Sequence, residues 1–219
     1  MTRPSVTLKI ATSLDGRIAL SNGVSQWITG SESRARVHQM RAEHDAVLVG
    51  VGTVLADDPL LTARTVPVPK RQPVRIVADS MARTPASGRL VNSLSIGPVV
   101  IAAAQPDGDR VSALEAAGVK IWRCGDVSGQ VSVTRLLDHC ATAGIRSVFL
   151  EGGGKLAASF IKAGLVDRIE WFRAPLLIGG DGLPAIAALG LNEMAAAPRW
   201  HADATTRIGD DELTTYVRV

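Results

Sequence analysis

The chain has 219 residues, a formal net charge of +3, 46% hydrophobic residues and only 4% aromatic residues. This length allows one large domain or two small ones, with a mainly aliphatic core. Because no internal repeat or low-complexity segment occurs, a single domain over 1–219 is expected. The charge is too small and the basic residues too scattered to predict a nucleic-acid partner. Because no run of about 18 apolar residues occurs, no membrane partner is expected.

Two cysteines are present, Cys124 and Cys140, without a C-x-x-C motif or a recognisable signal peptide. This usage predicts a cytoplasmic location. The four histidines have no metal-ligand spacing among themselves or with the cysteines, so no metal is expected.

A β-rich alternating pattern over 6–13 predicts the first strand, and Lys9 lies inside it. Burying an ammonium group is costly unless the group finds a partner or a wet cleft. Lys9 therefore indicates either a cleft beside a central strand or the solvent side of an edge strand.

Thr29 and Glu32 stand at capping-box spacing and predict a helix from there to about Glu43. Arg41 lies near the carboxyl end of that helix. From this position it could reach into a cleft or simply stabilise the helix dipole.

The next predicted strand, 45–50, leads through a glycine-flanked turn into a short helix that Thr53 can cap. Asp57, Asp58 and Arg64 then crowd a short connection. Charged residues gathered after the carboxyl end of a strand indicate a functional loop more than the same residues on a helix face. Asp58, directly before a proline, is also typical of a plain turn.

A strand predicted over 74–78 is followed by Ser80 and Arg83. A serine and an arginine just beyond a strand end suit the 2′-phosphate of NADP. A solvated turn is the alternative.

From residue 98 onward, strands and helices alternate regularly. Strands are predicted over 98–104, 119–123 and 146–150, helices over 109–117, 131–143 and 155–163, and an extended segment over 166–177. The alternation predicts an α/β fold whose sheet is mostly parallel and carries helices on both faces. The tail, 199–219, is typical of an antiparallel hairpin at the sheet edge.

Three consecutive glycines at 152–154 separate a strand that ends near Glu151 from the following helix. Glycines let the backbone turn sharply, and the helix points its unsatisfied N–H groups and positive dipole end at the turn. This arrangement predicts an anion site, most economically for a phosphate or pyrophosphate, although a plain tight turn is the alternative. The spacing matches neither G-x-x-x-x-G-K-[ST] nor G-x-G-x-x-G, which argues against a kinase-type loop and a Rossmann fold.

The strand ends near Gly50, Asp79 and Glu151 thus collect polar and charged residues. If these strands are neighbours, their ends form one cleft, which would suit a phosphorylated ligand beside a nucleotide cofactor. Spacing alone does not distinguish hydride transfer from other chemistry.

Five segments occur in a characteristic order: TLK at 7–9 with SLDGR at 13–17, SQWIT at 25–29, VGVGTVLADDPLLT at 49–62, DS at 79–80 with Arg83 and Pro85, and LEGGG at 150–154 with AGLVD at 163–167. Together they resemble the reductase of bacterial riboflavin biosynthesis, which acts on 5-amino-6-(5-phosphoribosylamino)uracil. The resemblance runs over nearly the full length.

The resemblance implies a dihydrofolate-reductase-like, three-layer α/β/α fold with a mostly parallel central sheet and a C-terminal antiparallel hairpin. It also implies NADPH as the hydride donor, a phosphorylated pyrimidine substrate and a homodimer. Substrate binding is expected from Ser25, Arg41, Leu61, Arg64 and Glu151. Cofactor binding is expected from Ala11, Trp27, Thr53, Asp57, Ser80, Arg83, Gly152, Gly153, Gly154, Lys155, Leu156, Ala157 and Ser159. Lys9 and Asp57 are the candidate catalytic residues, for proton handling near the imine nitrogen or the ring oxygen of the opened sugar.

Bacterial members of this family commonly carry a zinc deaminase domain ahead of the reductase, but no H-x-E or P-C-x-x-C signature occurs here. The chain is therefore expected to stand alone, to work with a separate deaminase, or to be an excised domain. Fungal and archaeal relatives reduce before deamination, so the corresponding diamino-pyrimidinone phosphate is a second possible substrate. The sequence is also compatible with a reductase of another heterocycle, or with a non-catalytic protein that binds a pyrimidine or sugar phosphate.

Overall fold

A computed structural model describes residues 2–219 and divides the chain into two compact units. The first unit comprises residues up to Ser5 together with 38–149, and the second comprises 6–37 and 150–219. The single domain over 1–219 stays a prediction.

The secondary structure alternates as the sequence predicts. The strands are β1 (Ser5–Thr12), β2 (Arg17–Ala19), β3 (Ala46–Gly50), β4 (Val74–Ala78), β5 (Val99–Ala103), β6 (Lys120–Arg123), β7 (Ser147–Leu150), β8 (Arg168–Arg173), β9 (Leu183–Pro184), β10 (Trp200–Ile208) and β11 (Asp211–Arg218). The helices are α1 (Ser31–Glu43), α2 (Val51–Asp57), α3 (Arg89–Asn92), α4 (Gly108–Ala116), α5 (Val133–Thr142) and α6 (Gly154–Lys162), with a 3₁₀ turn at Met194–Ala196.

The first unit is built on parallel strands in the order β3-β4-β5-β6. Strands β3 and β5 are buried almost throughout, as expected for strands covered on both faces. Gly50 at the end of β3 is the partner of Ala78 at the end of β4, so the condition that these two strands are neighbours is met.

Helices α4 and α5 of the first unit form where the pattern predicts them, and a side chain caps the start of each. Asp107 caps α4 by accepting hydrogen bonds from the backbone N–H groups of Asp109 and Arg110, both at 3.1 Å. In α5 the buried side chains are Val133, Leu136, Leu137 and Cys140, the three-and-four spacing of an amphipathic helix.

In the second unit β1 pairs with β8 in parallel, and β11 joins β8 and β10 in antiparallel pairs. The predicted C-terminal hairpin is therefore confirmed as β10 and β11, with β10 at the sheet edge. The mostly parallel α/β fold is confirmed as well. The short pair β2 and β9, together with α3, lies outside the predicted elements.

Two local predictions need correction. Helix α1 begins at Ser31, and its start is fixed by Asp211 of β11, whose Oδ2 accepts from the Gly30 N–H at 2.8 Å and the Ser33 hydroxyl at 2.6 Å. The predicted capping box of Thr29 and Glu32 is therefore wrong, and a carboxylate distant in the sequence fixes the helix start instead. Helix α2 has Gly50 as its N-cap without a side-chain hydrogen bond, so Thr53 lies inside the helix and does not cap it.

Within residues 2–219, no helix combines the length and the apolar character needed to traverse a bilayer. In the same range, no three His, Cys, Asp or Glu side chains are grouped so that they could hold a metal ion.

Candidate functional site

The residues expected to form the site are divided between the two units, and each group is described within its own unit. The first unit contains Arg41, Thr53, Asp57, Leu61, Arg64, Ser80 and Arg83. The second contains Lys9, Ala11, Ser25, Trp27, Glu151, Gly152, Gly153, Gly154, Lys155, Leu156, Ala157 and Ser159. Convergence of all these residues on one pocket stays a prediction.

In the first unit, α2 is followed by a loop over 58–64, here named the arginine loop. Its backbone enters the left-handed region at Asp58, with φ 39°, and at Leu61, with φ 55°. Non-glycine residues occupy this region at a cost, and such strain concentrates at functional sites. The Leu61 side chain is buried, which leaves its peptide groups as the part able to face a ligand.

Side chains from elsewhere in the unit hold the arginine loop in place. The Leu60 carbonyl accepts from Arg75 Nη1 at 3.2 Å, and the Thr62 carbonyl accepts from Arg41 Nη1 at 3.1 Å. Gln72 bonds both the N–H and the carbonyl of Ala63, at 2.8 and 2.9 Å. The loop is therefore a fixed platform, and Arg64 projects from its end.

The structure brings Arg41 and Arg64 together, as the resemblance implies, and adds Arg89. Partial loss of hydration, then the positive charges of Arg41 and Arg89, lower the pKa of Arg64 below its ordinary value. Among residues 2–219, no carboxylate lies within 4.0 Å of the Arg64 or Arg89 guanidinium to form an ion pair. This clustering of positive charge is suited to an anion. Arg89 carries no sequence signal of its own because only the folded chain brings it here.

Ser80 and Arg83 belong to one turn at the end of β4. The buried Asp79 carboxylate accepts from the N–H and hydroxyl of Thr84, at 2.7 and 2.9 Å, and its other oxygen lies 3.6 Å from Arg83 Nε. Arg83 remains half-exposed, and the Ser80 hydroxyl accepts from the Val131 N–H at 3.3 Å. The turn thus presents a serine and an anchored guanidinium side by side.

Asp57 is the last residue of α2, four positions after Thr53. Neighbouring protein atoms remove part of its hydration and raise the pKa of its carboxyl group above the ordinary value. A carboxyl group with a raised pKa keeps its proton to higher pH, as a proton donor must.

In the second unit, Lys9 and Ala11 lie half-buried on one side of β1. Their partners on β8 are Glu170 and Phe172, and Lys9 Nζ lies 5.7 Å from the centre of the Phe172 ring. Attraction between a cation and the ring face favours a charged ammonium at this position.

Trp27 lies in the loop between β2 and α1 and exposes 68% of its surface. The guanidinium of Arg34 lies 4.4 Å from the Trp27 ring centre and covers one side of the ring. Arg34 is held in turn by the Thr29 carbonyl at 2.6 Å. The sequence analysis did not predict a role for Arg34. The signal that could have found it was its position in the first turn of a helix, shortly after the loop that carries Trp27. Ser25, in the same loop, is half-buried.

The glycine turn leads from β7 and the half-buried Glu151 into α6. Gly153 is the N-cap, no side chain caps it, and a Cβ atom added there meets nothing within 4 Å. At Gly154, by contrast, a Cβ atom would lie 2.8 Å from the Pro184 carbonyl oxygen. The helix start is therefore open on the Gly153 side, where its N–H groups can bind an anion.

The residues that follow in α6 take different positions. Lys155 and Ser159 are exposed, and the Ser159 hydroxyl donates to the Lys155 carbonyl at 3.1 Å. Ala157 is buried, so its side chain packs in the core and only its backbone is left to contact a ligand.

The family model described as the RibD C-terminal domain matches residues 4–214. The chain is 39% identical to the riboflavin biosynthesis protein RibD of Actinobacillus pleuropneumoniae, over 98% of this chain and 57% of that protein. It is 38% identical to the 2,5-diamino-6-ribosylamino-4(3H)-pyrimidinone 5′-phosphate reductase of Methanothermobacter thermautotrophicus, over 98% of both chains.

Among solved structures, the diaminohydroxyphosphoribosylaminopyrimidine deaminase/5-amino-6-(5-phosphoribosylamino)uracil reductase of Thermotoga maritima superposes with a TM-score of 0.80 at 29% identity, over 99% of this chain and 57% of that one. The chain thus spans a little over half the length of the RibD relatives it matches. The dihydrofolate-reductase-like fold implied by the resemblance is confirmed, and the chain belongs to the RibD C-terminal domain family.

Proposed function

We propose that this chain reduces the ribosyl group of 5-amino-6-(5-phosphoribosylamino)uracil to the ribityl group, with NADPH as hydride donor. The observation that carries the proposal is the pair of neighbouring guanidinium groups, Arg41 on α1 and Arg64 at the end of the arginine loop. Arginine pairs of this kind suit bidentate recognition of a phosphate, such as the 5′-phosphate of that substrate. The name of the Thermotoga maritima relative, which includes this reductase activity, supports the assignment.

In this proposal the remaining substrate-binding residues contact the pyrimidine and the sugar. Leu61 contributes peptide groups, because its side chain is buried. Ser25 and Glu151, both half-buried, contribute a hydroxyl and a carboxylate. A carboxylate and a hydroxyl are suited to the N–H and hydroxyl groups of a ribosylamino-pyrimidine.

The residues present fit NADPH. The uncapped N-terminus of α6, open at Gly153, suits the pyrophosphate, and Ser80 with Arg83 suits the 2′-phosphate. The exposed ring of Trp27 offers a flat surface to the cofactor. When bound, the cofactor supplies a hydride to C1′ of the opened sugar. The other cofactor-binding residues in the proposal are Ala11, Thr53, Asp57, Gly152, Gly154, Lys155, Leu156, Ala157 and Ser159.

Reduction of an imine also requires control of protons, which we assign to Lys9 and Asp57. The Lys9 ammonium, above the Phe172 ring, can donate a proton near the imine nitrogen or the ring oxygen. Asp57, whose pKa is raised by loss of hydration, can hold a proton at a pH where an ordinary aspartate has lost it.

A second candidate substrate is 2,5-diamino-6-ribosylamino-4(3H)-pyrimidinone 5′-phosphate. The observation that favours it is the match to the Methanothermobacter thermautotrophicus reductase, which covers 98% of both chains. The two substrates share the phosphate and the ribosylamino group and differ in the ring, so the arginine pair serves either one.

The deciding experiment follows NADPH absorbance with each pyrimidine phosphate and, in parallel, with dihydrofolate. We expect consumption with the phosphoribosylamino-uracil, and a higher kcat/KM for the diamino-pyrimidinone would select the second candidate. Consumption with dihydrofolate alone would overturn both candidates. Binding of the pyrimidine phosphates without consumption of NADPH would identify a non-catalytic binding protein.

We further propose that the chain acts in the cytoplasm as a homodimer, with a deaminase in the same or a separate polypeptide acting in the same pathway. The free thiols of Cys124 and Cys140 suit a reducing compartment. The exposed strand β10 offers a surface for a second copy.

A further inference from the structure

We infer that Arg89 is a third ligand of the substrate phosphate and that it determines the preference of the site for a phosphate dianion. The inference rests on the proposed function, because it extends the site formed by Arg41 and Arg64. It concerns a residue outside the expected substrate-binding set.

The first step is the position of Arg89 at the start of α3. Its backbone N–H donates to Asp58 Oδ1 at 2.8 Å, and Asp58 is the first residue of the arginine loop. A Cβ atom at the preceding Gly88 would lie 3.1 Å from the same carboxylate oxygen, so the two segments approach closely. The Arg89 backbone is therefore tied to the loop that carries Arg64.

The second step is the rigidity of this attachment. The fully buried Arg75 donates from Nη1 to the Leu60 carbonyl at 3.2 Å and to the Ser93 hydroxyl at 2.6 Å. Its Nη2 donates to the Ser93 carbonyl at 2.9 Å. One buried guanidinium thus fastens the arginine loop to the end of α3. Ligands on segments fastened in this way lose little freedom on binding, which favours affinity.

The third step is charge. Arg64 and Arg89 are exposed, and in the described part of the chain neither forms an ion pair with a carboxylate. Like charges held close together raise the free energy of the folded chain until an anion binds between them. A phosphate monoester carries a charge of roughly −1.5 to −2 at neutral pH, which matches a cluster of guanidinium groups better than a monoanion does.

The test uses the full chain with Arg89→Gln, and Arg110→Gln as the matched control, since Arg110 is also an exposed arginine in the first turn of a helix. Inorganic phosphate is the probe, titrated at constant ionic strength by calorimetry. We expect Arg89→Gln to raise the phosphate Kd about tenfold or more, the loss of one charge-assisted contact. Arg110→Gln should leave the Kd unchanged, and Arg89→Lys should give an intermediate value.

Two further measurements separate a ligand from a structural residue. Without phosphate, Arg89→Gln should unfold at a temperature no lower than that of the wild type, because the change removes a repelling charge. With the pyrimidine phosphate, KM should rise by a similar factor to the phosphate Kd while kcat changes less than about threefold.

An unchanged phosphate Kd in Arg89→Gln would overturn the inference while leaving the proposed function intact. Absence of reduction with either pyrimidine phosphate, together with a weakened phosphate affinity in Arg89→Gln, would overturn the proposed function and support the anion site.

Discussion

Lys9 lies half-buried inside a strand, where an ammonium group without a role would cost free energy. Lys9→Met keeps an unbranched apolar stem of similar length and removes the ammonium group with its charge and its protons. If Lys9 handles a proton in the reaction, kcat should fall about 100-fold or more, the usual contribution of a general acid. The Kd of NADPH, measured by fluorescence titration, should change less than about twofold.

The control for this change is Lys120→Met, which replaces an exposed lysine at the start of β6. It should leave kcat and KM unchanged. An unchanged kcat in Lys9→Met would remove Lys9 from the mechanism.

Asp57 has a pKa raised by loss of hydration, which makes stability depend on pH with a definite sign. A carboxyl group with a raised pKa supports the folded state fully below its unfolded pKa, about 4, and loses that support as pH rises through the higher folded value. Asp57→Asn should therefore be more stable than the wild type at pH 7. The difference should vanish below about pH 4, as measured by denaturant unfolding at each pH.

The same change should lower kcat, because asparagine cannot transfer a proton. A gain in stability with a loss of turnover is typical of a residue kept for function. Stability equal to wild type at pH 7 would contradict the effect of partial dehydration on Asp57, and unchanged kcat would contradict the proton-transfer role.

At the scale of elements, the glycine turn before α6 offers two neighbouring positions with opposite constraints. Gly154→Ala places a Cβ atom 2.8 Å from the Pro184 carbonyl oxygen and 3.2 Å from that of Ala185, so the backbone must shift. Its free energy of unfolding should fall by about 1–3 kcal/mol, as for other overpacked sites.

Gly153→Ala fills open space at ordinary backbone angles, with φ −66°, and should cost about 0.5–1 kcal/mol, since an N-cap favours glycine over alanine. It does, however, cover the helix start proposed to bind the pyrophosphate. We therefore expect a higher NADPH Kd with a smaller loss of stability than in Gly154→Ala. Equal effects of the two alanines on stability would contradict this assignment of roles.

Arg75 is a single buried cation that joins the arginine loop to the end of α3. Its guanidinium donates hydrogen bonds to the carbonyls of Leu60, Ser93 and Gly97. Burial lowers the pKa of Arg75 to about 10, so the group remains charged at pH 7. Arg75→Met keeps an apolar stem but leaves these buried carbonyls without donors. We expect urea unfolding to show a loss of about 3 kcal/mol. Arg71→Met, at an exposed loop position, is the control and should change stability little.

Local patterns predicted most elements of this fold, because periodicity and glycine or proline stops are properties of neighbouring residues. The strand over 74–78 is confirmed residue for residue as β4. Features that depend on distant residues escaped prediction. Asp211, near the C-terminal end of the chain, fixes the start of α1. Arg75 is a single charge within an apolar strand pattern, and in the folded chain its guanidinium holds the arginine loop in place. Arg89 escaped for the same reason.

At the scale of the whole molecule, the chain leaves the second unit after residue 37 and returns to it at residue 150. Residues from both ends of the sequence therefore build that unit, and the site residues are divided accordingly. The family resemblance could name these residues because it rests on motifs at matching positions. No local pattern could have grouped Lys9 with the glycine turn.

The proposed homodimer concerns β10, which is exposed along 201–207. Ala204 and Thr206 are the partners of Thr215 and Leu213 on β11. Thr215 and Leu213 are buried, so the two small residues continue the same face of the sheet as far as its exposed edge strand. Residues directly opposite in an antiparallel pair share a face, and a second copy could cover this one. The bulge between Ala202 and Ala204 interrupts the register, which favours contact through the face over strand pairing at the edge.

Sedimentation equilibrium should give twice the chain mass of 23.0 kDa for the wild type. The double change Ala204→Lys and Thr206→Lys places two charges on the proposed contact and should give a monomer, since charges buried at an interface without partners are costly. Ala116→Lys, at an exposed position of α4 away from β10, is the control and should remain dimeric. A monomeric wild type would contradict the homodimer itself, whereas a dimeric double variant would place the contact on another surface.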